Sequence, residues 1–475
     1  RAMFHADNAY SLGAARVTGH RARTHKASNT AFRGFGGPQG MMIIERAMDD
    51  IARGMGEDPL TIRKRNLYRQ GRDITHYGQR VEQLALLGDI VTRLEASSDY
   101  WARRRAITAF NAQSPIIKKG LALTPVKFGI SFTQQHLNQA GALLLVYTDG
   151  SVMINHGGTE MGQGLHTKIC QVVARELGLE MSDVRISATR TDKVPNTSPT
   201  AASSGADLNG QAARNAASKL RERLFDFAAD HFDAQNGGLE REAMRLENGY
   251  LIAGIGESEQ RIAWGELIQA AYLGRVSLSE KGFYATPLIH YDRSTGQGRP
   301  FYYFAHGAAV SEVEVDTLSG EYRLRRADIL HDVGDSLNPA IDLGQVEGAF
   351  IQGMGWLTSE ELKWNDAGRL TSDGPSTYKI PAFGDLPPEL NVELLEGHPN
   401  SRASIYRSKA VGEPPLMLGI SVWSALRDAL ASLTDYRTCP PLDTPATPER
   451  MLMAIESLKN SAPRGALLKK EEAKS

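Results

Sequence analysis

The hydrophobic and polar positions along the chain predict hairpins mixed with amphipathic helices. Two stretches place apolar, strand-like runs on either side of a turn. In "ALLLVYTDGSVMINHGG" the turn is Asp149-Gly150, a favoured type I′ pair, and "AAVSEVEVDTLSGEYRLRRADILHDVG" turns at Leu318–Gly320. A further strand is predicted in "GLALTPVKFGISFT", from Gly120. Because strands and helices do not alternate in a regular βαβ order, the pattern predicts the α+β class.

The beginning of the chain predicts loop and strand followed by helices. One helix is expected from about Gly40, and a short one in "EDPLTIRKRNL", where Asp58 is placed to cap the helix and Pro59 to open it. Another helix, "SDYWARRRAITAFNAQS", leads towards a second region. The stretch around residues 230–265 carries many charges and is predicted to be peripheral.

A chain of 475 residues exceeds one ordinary hydrophobic core, so we expect two or three domains. Changes in the pattern of predicted elements divide the chain into residues 1–95, residues 96–450 and a tail of residues 451–475. The end of the tail, "SAPRGALLKKEEAKS", has little apolar surface to bury. The tail is therefore expected to be partly disordered.

Charge and cysteine content exclude several classes of partner. Lys+Arg is 54 and Asp+Glu is 55, a balance that disfavours nucleic acid and anionic membranes, since both bind a clustered positive excess. No apolar run reaches the length of a membrane span, so none is expected. The two cysteines, Cys170 and Cys439, are too few for a disulfide framework. They predict a reducing, cytoplasmic environment, with Cys170 buried as a small apolar side chain.

Five loops share one design, in which a turn rich in glycine, serine or threonine runs into the start of a helix. We number them in chain order: loop 1 "FRGFGGPQG", loop 2 "NHGGTEMGQG", loop 3 "SPTAASSGADLNG", loop 4 "DVGDSLNPAIDLGQVEGAF" and loop 5 "SKAVGEPPLMLG". A single loop of this kind usually only connects two secondary-structure elements. Five together favour a large ligand with many acceptors, held by backbone N–H groups at helix N-termini. Neither the Rossmann spacing nor the P-loop motif is present.

Glu413 in loop 5 is the candidate general base. It stands between Gly412 and Pro414, and desolvation of a carboxylate on such a rigid turn would suit it to accept a proton. The alternative is a carboxylate that the dipole of the following helix stabilises, and the residues leave both open.

Aromatic and histidine side chains near the loops have a functional and a structural interpretation. Phe35 and Phe132 could stack on a flat ligand, but packing in the core is the commoner role of aromatic rings. His156 and His166 flank loop 2 without further ligands at metal-binding spacing, so we interpret them as structural.

Taken together, the motifs resemble the molybdenum-binding portion of the xanthine dehydrogenase and xanthine oxidase family. They are "SNTAFRGFGGPQ", "HGGTEMGQGLHTK", "VPNTSPTAAS", "DVGDSLNPAIDLGQVEGAF", "GPSTYKIPAFG" and "KAVGEPPL". The likeness runs from "RAMFHADNAY" to "LDTPATPE" and is weakest around residues 230–265. It implies the C-terminal part of the large subunit, with mixed sheets and flanking helices. Residues 1–95 would end a first molybdenum cofactor-binding domain, and residues 96–450 would form the second.

The resemblance also implies a cofactor and its contacts. The family binds molybdenum through molybdopterin or its dinucleotide form, and no side chain ligates the metal. Carried over motif by motif, the cofactor-binding residues are Phe32, Arg33, Met161, Gln163, Ala202, Ser203 and Gln345. Phe35 and Phe132 match the two rings that hold the flat purine, with Thr133 nearby.

In the reaction that the resemblance implies, xanthine or hypoxanthine is hydroxylated to uric acid with water as the oxygen source. Glu413 matches the catalytic base, and Arg1 matches an arginine that stabilises negative charge on the purine oxygen. Aldehyde oxidases generally lack this arginine, and the carbon monoxide dehydrogenase branch carries a cysteine in loop 1 that is absent here. The alternatives are an aldehyde or N-heterocycle oxidase of the same family, and a cofactor-free folding or dimerisation module.

The family also places electron carriers outside the part that this chain resembles. Iron–sulfur clusters and FAD would lie on other domains or subunits and pass electrons to NAD. Expected partners are therefore the purine, that iron–sulfur and flavin portion, and an upstream part of the molybdenum subunit. The complete assembly is expected to be a cytoplasmic homodimer in purine catabolism.

Overall fold

Helices and strands follow one another in no regular order along the chain. The computed structural model describes residues 1–26, 28–29, 31–236, 241–254 and 259–461. Its helices are α1 (Gly37–Met55), α2 (Pro59–Asn66), α3 (Leu84–Ser97), α4 (Tyr100–Gln113), α5 (Leu165–Leu177), α6 (Gly205–Asn236), α7 (Trp264–Leu273), α8 (Pro339–Leu357), α9 (Ile420–Ala431) and α10 (Pro448–Ser461). Its strands are β1 (Ile117–Ile130), β2 (Gln139–Val146), β3 (Val152–His156), β4 (Val184–Ile186), β5 (Arg245–Glu247), β6 (Tyr250–Ala253), β7 (Gln260–Ala263), β8 (Ser279–Ala285), β9 (His290–Asp292), β10 (Gln297–Arg299), β11 (Tyr303–Asp316), β12 (Tyr322–Asp332) and β13 (Glu389–Leu395).

The larger sheet has the order β1-β11-β12-β13, and its strands β1 and β11 are mostly buried on both faces. Its pairs are antiparallel except β12 with β13, which is parallel. Alternate residues of a strand face opposite sides: Ala122 of β1 packs with α8, α9 and α10, whereas Leu121 packs with α1 to α4. The sheet thus joins the N-terminal helices to the C-terminal ones.

A second sheet, β4-β3-β2-β8, packs against α5 and α6 around its own core. Beside it, β5, β6 and β7 form a small antiparallel sheet. Trp264 and Leu267 of α7 are buried in this second core, and the Trp264 indole donates to the Gly150 carbonyl at 2.8 Å. The stretch predicted to be peripheral is therefore partly core, because Leu251 and Ala253 of β6 and Trp264 are buried. Its residues 237–240 and 255–258 lie outside the described ones.

The α+β class is confirmed, with mixed sheets and flanking helices. Both predicted hairpins are present, β2–β3 and β11–β12. The type I′ assignment at Asp149-Gly150 is wrong, because only Gly150 has a positive φ, 85°. The Gly150 N–H donates to the Tyr147 carbonyl at 2.9 Å, which matches a type I turn followed by a left-handed glycine. Asp58 does cap α2, accepting from the Leu60 N–H at 2.8 Å.

Other boundaries differ from the prediction. The helix α3 was not predicted, and within residues 1–95 the described part contains isolated bridges such as Tyr10–Leu67 rather than strands. α6 begins at Gly205, inside the predicted loop 3. In the predicted tail, α10 extends to residue 461 and buries Met451 and Ile455, and residues 462–475 lie outside the described ones.

Two apolar features concern the core. The segment Pro414–Thr434 is long and apolar enough to cross a membrane by composition alone, but nearly all of it is buried in the protein. It is accordingly the core helix behind loop 5. Cys170 is buried as predicted, burial raises the pKa of its thiol, and both cysteines are free.

Gly353 of α8 allows the helix to pack directly on the backbone that follows loop 5. A Cβ at this position would lie 2.0 Å from the Leu416 carbonyl oxygen. We expect Gly353→Ala to lower the free energy of unfolding by about 1–3 kcal/mol in denaturant titrations. The matched control is Gly348→Ala in the same helix, where a Cβ would meet open space. This change should raise the free energy of unfolding by up to about 1 kcal/mol. Equal effects of the two changes would contradict this account of the packing.

Candidate functional site

The Glu413 carboxylate is where three of the five loops meet. Its Oε1 accepts from the backbone N–H of Gly34 in loop 1 at 3.1 Å. Its Oε2 accepts from the Ser203 hydroxyl in loop 3 at 3.0 Å. Glu413 is only 9% exposed and makes no side-chain capping bond to the short 3₁₀ helix that it precedes. The hydrogen bonds that orient this carboxylate thus come from loops 1 and 3.

Arg33 ties loop 1 to loop 5 and to α8. Its Nε donates to the Gly412 carbonyl, and its two terminal nitrogens donate to the side-chain oxygens of Gln352 and Gln345, each at 3.1 Å. Burial lowers the pKa of Arg33 to about 10, against the opposing influence of Glu413, so the guanidinium stays charged at neutral pH. These bonds use three of the five N–H groups of a guanidinium.

Arg1 lies beside Glu413 as well. Its guanidinium donates to the Gly129 carbonyl at 3.0 Å and to the Ser131 carbonyl. It also lies over the ring of Phe128, 5.2 Å from the centroid. One of its terminal nitrogens is 3.9 Å from the Glu413 Oε2. A buried cation and a buried carboxylate therefore lie side by side.

Each of the two predicted stacking rings comes directly after a residue whose backbone is bound by one of these charged side chains. Glu413 binds the N–H of Gly34, before Phe35, and Arg1 binds the carbonyl of Ser131, before Phe132. Phe35 comes directly after Gly34 and is 55% exposed, with φ of 46°. The core interpretation is therefore wrong for Phe35. Phe132 is half-buried, and the buried Asn138 side chain holds its backbone by accepting from its N–H at 2.8 Å and donating to its carbonyl at 2.9 Å. The half-buried Thr133 is next in the chain.

Loop 2 differs from the expected design. The carboxylate of Glu160 accepts the N–H groups of Gly162, Gly164 and His166 at the start of α5. Although desolvation opposes it, these bonds lower the pKa of Glu160. The helix N-terminus is thus capped from within, and the same holds for α8, where Asn338 accepts from the Ile341 N–H. At these two helices, part of the predicted set of free N–H groups is therefore already used by side chains of the protein itself.

The predicted cofactor contacts of loop 2 lie at its surface. Met161 is 67% exposed, and its N–H donates to the Gln163 side chain at 2.5 Å. The Thr159 N–H donates to Thr200 of loop 3 at 2.8 Å, and Lys168 of α5 pairs with Asp342 of α8. These bonds place loop 2 beside loops 3 and 4.

The remaining predicted residues lie on loops 1, 3 and 4. Ala202 is buried, and both it and Ser203 have left-handed φ values, 57° and 58°. Such backbone strain is common at functional sites. Phe32 packs near Trp356, with ring centroids 6.2 Å apart. Gln345 reaches the site through its bond to Arg33.

His156 and His166 hold loop 2 together. Their rings make an edge-to-face contact at 5.3 Å, and the His156 Nδ1 accepts from the Gly158 N–H at 2.9 Å. Burial, and then the charge of His166, lowers the pKa of His156 to about 4. This geometry agrees with the structural interpretation. The described residues contain no cluster of three or more His, Cys, Asp or Glu that could hold a metal.

Sequence reasoning missed several residues of the site. Gln352 lies seven residues after Gln345, on the same face of α8, so helical spacing could have indicated it. Asn138 carried no local signal, because its bonds to Phe132 depend on the fold of the connecting loop.

Comparison with known proteins gives this arrangement a family. A model of the molybdopterin cofactor-binding domain matches residues 93–387, and a second model of that description matches residues 1–67. Xanthine dehydrogenase/oxidase of Gallus gallus is 49% identical over 95% of this chain, and xanthine dehydrogenase 1 of Arabidopsis thaliana is 44% identical over 96%. The chain spans 31% and 32% of the length of these two relatives, in their C-terminal part.

Solved structures show the same fold. Quinoline 2-oxidoreductase of Pseudomonas putida 86 has a TM-score of 0.74 at 25% identity, covering 90% of this chain and 53% of its own. The CO dehydrogenase of Oligotropha carboxidovorans has a TM-score of 0.75 at 20% identity, covering 89% of this chain and 52% of its own, a likeness of fold alone. With loops 1, 3 and 5 meeting at Glu413 and the larger family model matching more than half of the residues, the chain belongs to the family of molybdopterin cofactor-binding domains.

Proposed function

We propose that the complete protein is a molybdenum hydroxylase that oxidises xanthine and hypoxanthine to uric acid. The observation that carries this proposal is the buried pair of Arg1 and Glu413, 3.9 Å apart, at the meeting point of the loops. A base and a fixed positive charge held side by side suit a reaction that removes a proton while negative charge builds on the substrate. The identity of the chain to proteins named xanthine dehydrogenase supports the choice of purine.

The donor set around Arg33 fits the proposed cofactor. Two of the five guanidinium N–H groups are not used by its bonds to Gly412, Gln345 and Gln352, and the amide groups of both glutamines can still donate. A pterin with a phosphate tail offers many acceptors to such groups. The residues proposed to hold it are Phe32, Arg33, Met161, Gln163, Ala202, Ser203 and Gln345. When bound, the molybdenum centre supplies the activated oxygen and takes the electron pair of the substrate C–H bond.

The side chains of this chain do the remaining work. Glu413 accepts, at Oε1 or Oε2, the proton that the reaction releases. The Gly34 N–H and the Ser203 hydroxyl hold its carboxylate in place. Arg1 stabilises negative charge on the purine oxygen. Phe35 and Phe132 contact the two faces of the purine, with Thr133 beside them.

The parts of the protein outside this chain complete the proposal. Because the chain spans about a third of its relatives, the iron–sulfur clusters and FAD are assigned to the rest, which passes electrons to NAD. We assign the complete assembly to a homodimer that degrades purines in the cytoplasm. The two free cysteines are compatible with that reducing compartment.

Arg1→Met in the complete protein tests the choice of substrate. We expect kcat/KM for xanthine to fall about 10²–10³-fold, the usual cost of removing one donor to a developing oxyanion. The kcat/KM for benzaldehyde, which has no purine oxygen, should fall much less. Arg1→Lys, which keeps the charge, is the matched control and should retain part of the xanthine rate. Equal losses for both substrates would contradict the role of Arg1.

A further inference from the structure

The hydroxyl group of Tyr303 connects the two loops that supply Glu413 and Ser203. It donates to the Asp207 Oδ2 at 2.6 Å and accepts from the Ala410 N–H at 3.0 Å. Tyr303 opens β11, the rigid strand at the centre of the larger sheet. Asp207 lies in the first turn of α6, four residues after Ser203, and Ala410 precedes Glu413 by three residues.

The direction of these hydrogen bonds is fixed by chemistry. A backbone N–H can only donate, so the Tyr303 oxygen accepts from Ala410 and its single O–H must find another acceptor. The buried Asp207 carboxylate is that acceptor, and the Ile405 N–H donates to it as well. Burial raises the pKa of Asp207 to about 6, so it is ionised at neutral pH and can accept both bonds.

The start of loop 5 is also anchored at the end of β12. Lys409 pairs through Nζ with Asp332 at the end of β12, both fully buried in their side chains, and its N–H donates to the Val333 carbonyl at 2.7 Å. Tyr303 therefore fixes the residue immediately after this anchor. Between Ala410 and Glu413, loop 5 is held by the bond from Arg33 to the Gly412 carbonyl and by the Glu413 carboxylate itself, and after Glu413 it packs into the core against α8.

We infer that Asp207 and Tyr303 are positioning residues that set the Glu413 carboxylate against Ser203 and Gly34. The inference deepens the proposed function and rests on it for the catalytic part. Without the phenol oxygen, the Ala410 N–H loses its acceptor, and loop 5 can shift relative to loop 3. Misplacement of a reacting group by about 1 Å can cost about 10²-fold in rate.

Tyr303→Phe in the complete, molybdenum-loaded protein tests the inference. We expect kcat for xanthine to fall about 10–100-fold, with KM and molybdenum content nearly unchanged. Asp207→Asn should act similarly, and the double variant should be little worse than either single one, since the two residues act as one unit. Tyr322→Phe on β12 is the matched control, because its phenol hydrogen-bonds to Thr358 rather than to Asp207 or Ala410, and it should leave kcat as it is.

A readout without turnover separates failure of the inference from failure of the proposed function. Amide hydrogen exchange at Ala410 and Gly34 should be faster by about tenfold or more in Tyr303→Phe and unchanged in Tyr322→Phe. If the wild-type protein does not oxidise xanthine, the proposed function fails, and the exchange rates still decide whether the pair holds the loop. Unchanged exchange, an unchanged kcat, or additive losses in the double variant would each overturn the inference.

Discussion

Replacing Glu413 with glutamine in the complete, molybdenum-loaded protein is expected to lower kcat for xanthine about 10²–10⁴-fold. Glutamine keeps the size of the side chain, and its amide oxygen can still accept from the Gly34 N–H that now bonds to Oε1. An amide cannot take up a proton at neutral pH, so the variant removes the base and keeps the shape. The hydrogen bonds of Arg33 to Gln345 and Gln352 do not involve Glu413, so the substitution should leave them in place. The cofactor should therefore stay bound.

Elemental analysis and steady-state rates on the same preparation check this expectation. Molybdenum per chain should match the wild type while turnover is nearly lost. Glu347→Gln on α8 is the matched control, as this half-buried carboxylate lies outside the site. A Glu413→Gln protein that keeps more than about a tenth of its activity would exclude the residue as the base.

Replacing Arg33 with alanine should instead weaken binding of the cofactor. The change leaves the Gly412 carbonyl and two glutamine oxygens without their donor, at about 1–3 kcal/mol for each buried acceptor that stays unpaired. Loops 1 and 5 and α8 would then lose the side chain that joins them. We expect bound molybdenum to fall at least about tenfold, since 1.4 kcal/mol already corresponds to that factor.

Phe35→Ala is the contrast that makes the Arg33 result specific. The two residues share loop 1, but Phe35 is exposed and makes none of the bonds that hold the loops. Loss of its ring should raise KM for xanthine by about 5–100-fold, because a stacked base is worth about 1–3 kcal/mol. Molybdenum should remain at the wild-type level. Full molybdenum in Arg33→Ala, or its loss in Phe35→Ala, would reverse the roles assigned within loop 1.

Much of the fold followed from local patterns in the sequence. The hairpin β11–β12 was predictable because apolar alternation flanks a short turn, and Asp58 was predictable as a cap because Pro59 follows it. The type of the β2–β3 turn was not, because Asp149-Gly150 is compatible with more than one hairpin geometry. α3 was missed although Leu87 and Ile90 are buried on one of its faces.

The candidate site depended on contacts that no local pattern encodes. The loop motifs indicated Glu413 and Ser203, but they are 210 residues apart, and Gly34 is 379 residues from Glu413. The packing of loop 5 against β1, β11 and α8 contributes to bringing them together. The same reason explains why Tyr303 was missed, since its partners, Asp207 and Ala410, are 96 and 107 residues away in the chain.

The central claim is that a purine binds next to the paired side chains of Arg1 and Glu413, beside molybdopterin. The most direct test is the kcat/KM of the complete protein for xanthine and for benzaldehyde, each divided by bound molybdenum. The account predicts a clear preference for xanthine with uric acid as the product. A preference for the aldehyde, or no oxidation of xanthine at full molybdenum occupancy, would contradict it.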